Sequence, residues 1–457
     1  MQLMNNKIYQ ERRNALAKKI FTKSGGGIAI ISTAPELARN RDSEFPYRHD
    51  SDFFYLTGFE EPGATLVMEI KGSGKNCELQ SHLFCRPKDP EREIWDGIRL
   101  GPEVAPIELG IEYAYSNQEL DRKLGELLTD QDAIYIRLAE SAEADRRLRH
   151  WMKKVRAQAR SGINPPSELH DIEALIHEMR LFKDIHEIDT MRRAAAISAR
   201  AHIRAMQRCK PGIREYQLEA ELLHEFRNSG AQSVAYNSIV AGGANSCILH
   251  YRAGSTELRS GELCLIDAGC ELDGYASDIT RTFPVNGKFT GPQQALYNIT
   301  LAAQEAAVAM TKPGNTFIQP HDAALKVLTQ GLLDEKLLKL SVLGSLENAI
   351  ETGAYRRFYM HRTSHWLGMD VHDVGSYREE AASLLKEEKP WRILKAGMVI
   401  TVEPGLYIRP ADDVDEAFWN IGIRIEDDAV INESGCELIS RGVPVKADEI
   451  EATMKNA

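Results

Sequence analysis

Two aspartates on either side of a turn are the first residues whose types and spacing could do chemistry. Asp267 and Asp278 lie in LIDAGCELDGYASDI, where an Asp-Gly turn signal separates two apolar stretches. A hairpin centred between Leu272 and Asp273 would place the two acids directly opposite each other on one face of a sheet. Like charges so placed repel each other unless a cation lies between them or one acid is protonated. The alternative is a pair of exposed turn acids, which a one-residue shift of register would favour.

Three histidines lie close together further along the chain, in MHRTSHWLGMDVHDVG: His361, His365 and His372. A single histidine in an apolar stretch is more often a hydrogen-bonded core residue than a ligand. Three of them beside a tryptophan and two aspartates favour a functional site. The spacing HRTSH differs from HExxH, so a single-zinc protease of that type is not predicted.

Two glutamates are placed at the end of, or within, apolar strand patterns. In MVITVEPGLYI a buried strand runs into Glu403, where a carboxylate is costly to desolvate without a partner. In NIGIRIEDDAVI, Arg424 and Glu426 share one face of a predicted strand because side chains alternate with period two. Plainer interpretations exist for both: Glu403 reaches solvent where its strand ends, and Arg424 forms a surface ion pair with Glu426.

Together these segments supply four carboxylates and at least one imidazole from strands that could share one sheet. Four carboxylates match the formal charge of two divalent cations. Oxygen-rich ligation favours Mn²⁺ or Mg²⁺, and one imidazole shifts the preference to Mn²⁺ or Co²⁺. A structural zinc site would use cysteine and more histidine. The sequence therefore predicts a two-metal site, and it contains neither a GxSxG elbow nor a Walker-type loop.

The elements that must position these residues form two regions. Alternating strand and helix patterns before residue 160 predict an α/β domain. The strands are predicted at 28–31, 64–70 and 82–85, and the helices at 118–128 and 143–156. The polar, proline-containing segment 161–167 is the best linker candidate. After it, helices are predicted at 167–180, 184–207, 292–310 and 321–333, and strands at 263–268, 274–283, 398–402 and 422–431.

Composition narrows the class of protein. The 457-residue chain has a net charge of −11, which argues against nucleic acid or an anionic membrane as the main partner. Its seven cysteines are scattered without a CxxC pair, as is typical of reduced thiols in a cytosolic protein. The N-terminal segment has no apolar signal core, and no apolar run reaches the length of about 18 residues that a membrane span needs. We therefore expect a cytoplasmic protein.

The acid and histidine motifs described above resemble those of aminopeptidase P in its bacterial form. This family comprises the Xaa-Pro aminopeptidases of the pita-bread metallopeptidases. The matching segments are YRHDSDFFYLTGFEEPGA at 47–64, HEMRLFK at 177–183, CILHY at 247–251, LIDAGCELDGYASDITRTFPVNGKFT at 265–290, FYMHRTSHWLGMDVHDVG at 358–375, TVEPGLYI at 401–408 and NIGIRIEDD at 420–428. The resemblance implies an α/β N-terminal domain at 1–172. It further implies an α+β catalytic domain of the pita-bread (creatinase/aminopeptidase) type at 173–457.

The resemblance also implies roles for individual residues. Two Mn²⁺ ions, with Co²⁺ or Zn²⁺ as substitutes, would be held by Asp267, Asp278, His365, Glu403 and Glu426, with Asp278 and Glu426 bridging them. Glu403 would be the proton acceptor, and His250, His361 and His372 would line the substrate site. Tyr407, Arg424, Asp42 and Trp95 would support that site, the last two from the N-terminal domain. One residue stands out beside a site histidine: the bulky Arg362 follows His361.

The implied function is removal of the first residue from peptides that carry proline in the second position. The resemblance also implies a homodimer or homotetramer. The nearest alternative is a prolidase, which shares the metal ligands but cleaves only dipeptides. An alternative from another class is a non-catalytic pita-bread protein that binds a partner after losing metal ligands. No ligand position is substituted in this chain, which favours an enzyme.

Overall fold

A computed structural model describes residues 2–73, 76–379 and 388–455 of the chain. It divides into two units, Met1–Met179 and Arg180–Ala457. The domain boundary that we expect between residues 172 and 173 stays a prediction. The predicted linker at 161–167 lies inside the N-terminal unit, where it leads into a strand. Within the described ranges, no helix is long and apolar enough to cross a membrane.

The N-terminal unit is built on a six-stranded mixed sheet. Its helices are α1 (Gln2–Ser24), α2 (Ser51–Thr57), α3 (Pro90–Asp96), α4 (Ala105–Leu109), α5 (Leu120–Leu127), α6 (Ala142–Arg156) and α7 (Glu173–Leu181), the last of which runs into the second unit. Its strands are β1 (Gly27–Ser32), β2 (Ala38–Asn40), β3 (Ser43–Glu44), β4 (Thr65–Ser73), β5 (Asn76–Cys85), β6 (Tyr113–Ser116), β7 (Ala133–Ile136) and β8 (Glu168–Asp171). The sheet order is β6-β5-β4-β1-β7-β8, and β2 pairs with β3 alone.

One predicted helix of this unit is wrong in part. Residues 168–171 form β8, which pairs in parallel with β7 from Ala133↔Glu168 to Ile136↔Asp171. Helix α7 begins only at Glu173. The backbone hydrogen bonds of this ladder outweigh the weak local helix propensity from which we predicted a helix over 167–180.

The C-terminal unit combines helices with short antiparallel strands. Its helices are α8 (Ile185–Arg208), α9 (Glu215–Asn228), α10 (Gly291–Met310), α11 (Gln319–Asp334), α12 (Leu340–Leu343), α13 (Leu346–Glu351) and α14 (Ala447–Lys455). Its strands are β9 (Ser233–Val234), β10 (Ile239–Gly242), β11 (Leu263–Asp267), β12 (Cys270–Leu272), β13 (Tyr275–Ala276), β14 (Thr280–Pro284), β15 (Val399–Val402), β16 (Gly405–Ile408), β17 (Ile421–Arg424), β18 (Asp427–Ile431) and β19 (Cys436–Leu438). They form the sheets β10-β11-β14, β13-β12-β9, β15-β18-β19 and β16-β17.

Helix caps and a large hydrophobic core stabilise this unit. Helix α8 begins at a capping box in which the Asp184 carboxylate accepts from the Glu187 backbone and the Glu187 carboxylate accepts from the Asp184 backbone. Buried side chains from helices and strands, among them Phe226, Ile266 and Ile400, belong to one core cluster. Burying each such side chain contributes roughly 1.5–3 kcal/mol.

The turn of the central hairpin lies one residue later than predicted. Leu272 pairs with Tyr275, so Asp273 and Gly274 form a two-residue turn. Their φ angles are 50° and 78°, both in the left-handed region, as a type I′ hairpin turn requires. Aspartate and glycine tolerate this backbone conformation better than most residues.

The later turn changes the partner of Asp267. Asp267 lies opposite Thr280, so the predicted pairing of Asp267 with Asp278 is wrong. The two acids still lie close together, because the Tyr236 hydroxyl is 2.6 Å from Asp267 Oδ1 and 2.5 Å from Asp278 Oδ1. The strands predicted at 274–283 and 422–431 are each interrupted, and Asp278 and Glu426 lie in the interruptions.

A buried ion pair joins the two interrupted strands. Arg281 and Asp427 are both fully buried, and Nη2 of the arginine lies 2.9 Å from Oδ1 of the aspartate. Arg281 also donates to the backbone carbonyl of Glu426 at 2.7 Å. The amide of Gln304 and the hydroxyl of Ser440 donate to the two oxygens of Asp427. These contacts hold β14 and β18 together directly beside the residues in the interruptions.

Replacing Arg281 with methionine should leave the buried Asp427 charge with the partly exposed Arg441, 3.0 Å away, as its remaining ion-pair partner. We expect Arg281→Met to lower the free energy of unfolding by about 3–5 kcal/mol. Urea denaturation checks this, with hydrogen exchange of peptides that contain β14 and β18 reporting on the C-terminal unit. The control is Arg192→Met, which removes the exposed pair with Glu437 and should change the same free energy by about 0–1 kcal/mol. Equal effects of the two substitutions would contradict the structural role of Arg281.

Candidate metal centre

The five residues predicted as metal ligands line one cavity of about 880 Å³ in the C-terminal unit. Four of them stand where strands end or are interrupted: Asp267 ends β11, Asp278 lies between β13 and β14, Glu403 follows β15, and Glu426 lies between β17 and β18. The fifth, His365, lies outside regular structure. Its backbone accepts a hydrogen bond from the Thr401 N–H at 3.0 Å, which aligns it with β15.

The ligand atoms converge around open space. One ligand atom each of Asp278, His365 and Glu426 lie within 4.8 Å of one another. Nε2 of His365 is 3.5 Å from Oδ2 of Asp278 and 3.5 Å from Oε1 of Glu403. Nδ1 of His365 donates to the Trp366 carbonyl at 2.9 Å, so Nε2 faces the carboxylates and would present its lone pair to a metal ion once its proton is displaced. Buried carboxylate oxygens with an imidazole lone pair fit a divalent cation.

Burial makes the negative charge of this cluster unstable on its own. It raises the pKa of Glu403 to about 7, although the charges of His365 and Arg424 oppose the change. Burial also raises the pKa of Glu426 well above its ordinary value, and Asp278 and Glu403 add to the effect. For His365, burial disfavours the charged ring, but the hydrogen bond to Asp278 and the charge of Glu403 outweigh it and raise the pKa to about 9. Without a cation, the cluster therefore retains protons that a metal ion would displace.

Arg424 connects the cluster to a chain of hydrogen bonds. Its Nη2 donates to Oδ2 of Asp267 at 2.5 Å, and its Nη1 donates to the Tyr407 hydroxyl at 2.8 Å. That hydroxyl lies 2.8 Å from Nε2 of His361, and Nδ1 of His361 donates to the Arg362 carbonyl at 2.7 Å. Burial, with the charge of Arg424, lowers the pKa of His361 to about 3, so the ring is neutral and accepts from Tyr407. Three predicted residues thus form one chain along the cavity.

The other two predicted histidines also line the cavity. The ring of His372 stacks on that of His365, with centroids 4.0 Å apart and planes at 8°. Burial and the charges of His365 and His250 lower the pKa of His372 to about 4. A neutral His372 can donate a hydrogen bond without adding positive charge beside the cluster. The structure thus brings together every predicted site residue of the C-terminal unit.

Two predicted site residues belong to the N-terminal unit. Asp42 lies in the turn between β2 and β3 with φ of 62°, and its side chain is exposed. Trp95 is on α3 and is 84% exposed. Their expected place near the pocket stays a prediction.

Sequence reasoning missed two hydroxyl groups that hold the acids. The Tyr236 hydroxyl lies 2.6 Å from Oδ1 of Asp267 and 2.5 Å from Oδ1 of Asp278. The Thr280 hydroxyl donates to Oε2 of Glu426 at 2.6 Å. The correct hairpin register would have found Thr280, because it pairs with Asp267. No spacing in the sequence marks Tyr236.

Comparison with known families agrees with this geometry. Residues 189–433 match the metallopeptidase family M24, and residues 9–135 match the aminopeptidase P N-terminal domain. The chain belongs to metallopeptidase family M24, in the branch that carries the aminopeptidase P N-terminal domain. Membership implies dependence on divalent metal ions.

Within this family, the chain is similar to individual Xaa-Pro aminopeptidases along nearly its whole length. The chain is 45% identical to the Xaa-Pro aminopeptidase of Escherichia coli K12 over 446 residues, which cover 98% of this chain and 97% of that protein. The structure of Pseudomonas aeruginosa aminopeptidase PepP matches with a TM-score of 0.92 at 46% identity, covering 99% of this chain and 98% of that one. A variant of E. coli aminopeptidase P in complex with substrate matches with a TM-score of 0.92 at 44% identity and the same coverage. The predicted fold class and the resemblance to bacterial aminopeptidase P are confirmed.

Metal uptake by the metal-free protein should release protons. A carboxyl with a pKa of about 7, such as that of Glu403, holds its proton at pH 6, and His365, with a pKa of about 9, holds its own at both pH 6 and pH 7. Ligands must lose these protons, so affinity should rise with pH, by roughly tenfold per unit for each proton displaced. Calorimetric titration with Mn²⁺ in two buffers of different ionisation enthalpy counts the protons. Glu403→Gln should release fewer, and uptake without proton release at pH 6 would contradict the assignment.

Proposed function

We propose that the chain is a two-metal aminopeptidase that removes the first residue from peptides with proline in the second position. One observation carries the proposal: four carboxylates, three of them buried, converge with the His365 imidazole in a cavity of about 880 Å³ that can admit a peptide. The chain is a metal-dependent peptidase by family, and its relatives include Xaa-Pro aminopeptidases. The complete ligand set argues against a non-catalytic binding protein.

The metal arrangement follows from which ligands lie together. Asp278 and Glu426 would be shared by two ions, Asp267 would complete one, and His365 with Glu403 would complete the other. One ligand atom each of Asp278, His365 and Glu426 lie within 4.8 Å of one another, which supports an ion site at these three residues. Oxygen-rich ligation with one imidazole favours Mn²⁺, with Co²⁺ or Zn²⁺ as substitutes. When bound, two such ions supply charge that activates water for attack and stabilises the developing oxyanion.

The protein's own groups then handle protons and orientation. Glu403 accepts the proton of the attacking water and delivers it to the leaving nitrogen. His250 and the neutral ring of His372, both on the cavity wall, donate hydrogen bonds to the peptide carbonyl or backbone. Stacking on His365 keeps His372 in one orientation. The hydrogen bonds from Arg424 through Tyr407 to His361 hold the part of the wall that Arg424 and His361 form.

The apolar part of the wall suits proline. A bond to proline has no N–H, and its ring fixes φ, so recognition depends on shape more than on a hydrogen bond to that nitrogen. Apolar and aromatic surface around the cavity comes from Leu249, Phe317, Val371, Tyr377 and Trp391. A pyrrolidine ring can pack on this surface without leaving a buried donor unpaired.

We also propose a cytoplasmic location and a homodimer or homotetramer. All seven cysteines are free thiols, which a reducing compartment preserves. On and beside α3, Ile94, Trp95 and Ile98 are each at least 80% exposed. Clustered exposed apolar side chains are typical of a protein–protein contact, which supports association through the N-terminal unit.

Removing the proposed proton acceptor should abolish turnover without unfolding the protein. We expect Glu403→Ala to lower kcat for an Xaa-Pro-Xaa tripeptide by about 10²–10⁴-fold, the usual range for a general base. The measurement is a Mn²⁺-dependent peptide assay with chelator controls, with circular dichroism to check the fold. The control variant Glu437→Ala removes a surface carboxylate and should keep normal turnover.

The same assay distinguishes an aminopeptidase from a prolidase. The native enzyme should cleave Xaa-Pro-Xaa tripeptides and longer peptides. Cleavage of Xaa-Pro dipeptides alone would identify a prolidase, and normal turnover by Glu403→Ala would remove Glu403 from the mechanism.

A further inference from the structure

The charges around the cavity do not cancel once the metals are in place. The carboxylates among its lining residues are the four proposed metal ligands, Asp267, Asp278, Glu403 and Glu426. Two divalent ions would neutralise them. Four arginines also line the cavity: Arg252, Arg362, Arg378 and Arg424. Only Arg424 forms an ion pair within the part of the chain that the structure describes. The loaded cavity is therefore cationic in a chain whose net charge is −11.

Two of these arginines, Arg362 and Arg378, lie near the ring of Trp391. The Cζ atom of Arg378 lies 3.5 Å from the centroid of Trp391, and the Cζ atom of Arg362 lies 5.2 Å from the same centroid. Attraction between each guanidinium and the indole holds the two like charges near each other. The Arg378 guanidinium donates a hydrogen bond to the Lys389 carbonyl at 2.7 Å. Arg362 makes neither a side-chain hydrogen bond nor an ion pair with any described residue.

The backbone fixes where Arg362 stands relative to the reaction. Its carbonyl accepts the hydrogen bond from Nδ1 of His361, and His361 belongs to the chain that leads to Arg424 and Asp267. Arg362 is thus fixed through its backbone beside His361, and it is itself one of the residues that line the cavity. Planar guanidinium donors match the two oxygens of a carboxylate.

We infer that Arg362 and Arg378, flanking Trp391, form a subsite for a carboxylate carried by the substrate downstream of proline. The inference rests on the proposed function, because it takes the peptide to be bound by its amino terminus near the metals. That terminus is cationic, so the two guanidinium groups repel it and attract the other end of the peptide. The carboxylate could be the C-terminus of a short peptide or an acidic side chain in the third position.

Three peptides test the subsite and its source of carboxylate: Ala-Pro-Gln-amide, Ala-Pro-Glu-amide and Ala-Pro-Gln with a free C-terminus. At low salt, at least one carboxylate-bearing peptide should show a kcat/KM about 5- to 30-fold above that of the neutral amide, mainly through KM. The preference should shrink as salt screens the charges. The peptide that shows it identifies the source.

Variants assign the preference to the two arginines. Arg362→Gln and Arg378→Gln should each bring the ratio to within a few-fold of one, while cleavage of the neutral amide reports that the enzyme is folded. The control is Arg252→Gln, which removes the same charge from the same cavity but does not contact Trp391, and which should keep the preference. No preference in the native enzyme, its persistence in both variants, or an equal loss in Arg252→Gln would overturn the subsite.

A binding experiment separates this inference from the proposed function. The affinities of the three peptides for metal-loaded Glu403→Ala protein should show the same order, whether or not any peptide is cleaved. Failure to cleave the neutral amide would count against the aminopeptidase. Equal affinities for all three peptides would count against the subsite alone.

Discussion

Mutual repulsion among four carboxylates withdrawn from water is the interaction on which the C-terminal unit depends. A buried carboxylate that remains charged and unpaired is far more costly than a protonated one, so the protein must supply protons, partners or cations. Arg424 offsets the charge of Asp267, and His365 lies between Asp278 and Glu403. The raised pKa values of Glu403 and Glu426 show that these partners do not fully offset the free-energy cost of burying the charged carboxylates. Because this negative charge is not fully compensated by the protein, the site should bind divalent ions.

The fold meets this constraint by interrupting strands. A continuous strand points alternate side chains to opposite faces, which limits how many acids one sheet can direct to a single point. The gaps at Asp278 and Glu426 free those residues from the alternation, and a backbone bridge between Thr280 and Glu426 brings the gaps together. Behind them, the fully buried pair of Arg281 and Asp427 links the flanking strands. These contacts join protein groups alone, and they hold the interrupted strands beside the ligand residues.

The sequence could predict the metal-ligand residues, because the energetic cost of burying an acid can be judged from the apolar residues around it in the chain. An acid in an apolar segment, such as Asp267 or Glu403, needs a cation or a hydrogen-bond donor in any fold. The residue types of the ligands were therefore predictable. The hairpin register was not, because it depends on which two residues adopt left-handed φ, and Asp273 with Gly274 do so one step later than the pattern suggested. Strand β8 was missed because its stability comes from pairing with β7. Tyr236 and the chain from Arg424 to His361 were unpredictable for the same reason: their contacts join segments far apart in sequence.

The most direct test of the central claim is the number of ions that the acids hold. Metal-free protein would be dialysed against Mn²⁺ at neutral pH, and bound metal would be measured by elemental analysis beside turnover. We expect two ions per chain, with binding lost when Asp278 and Glu426 are both replaced by alanine. Full turnover by protein stripped of metal, or two ions retained by that double variant, would contradict it.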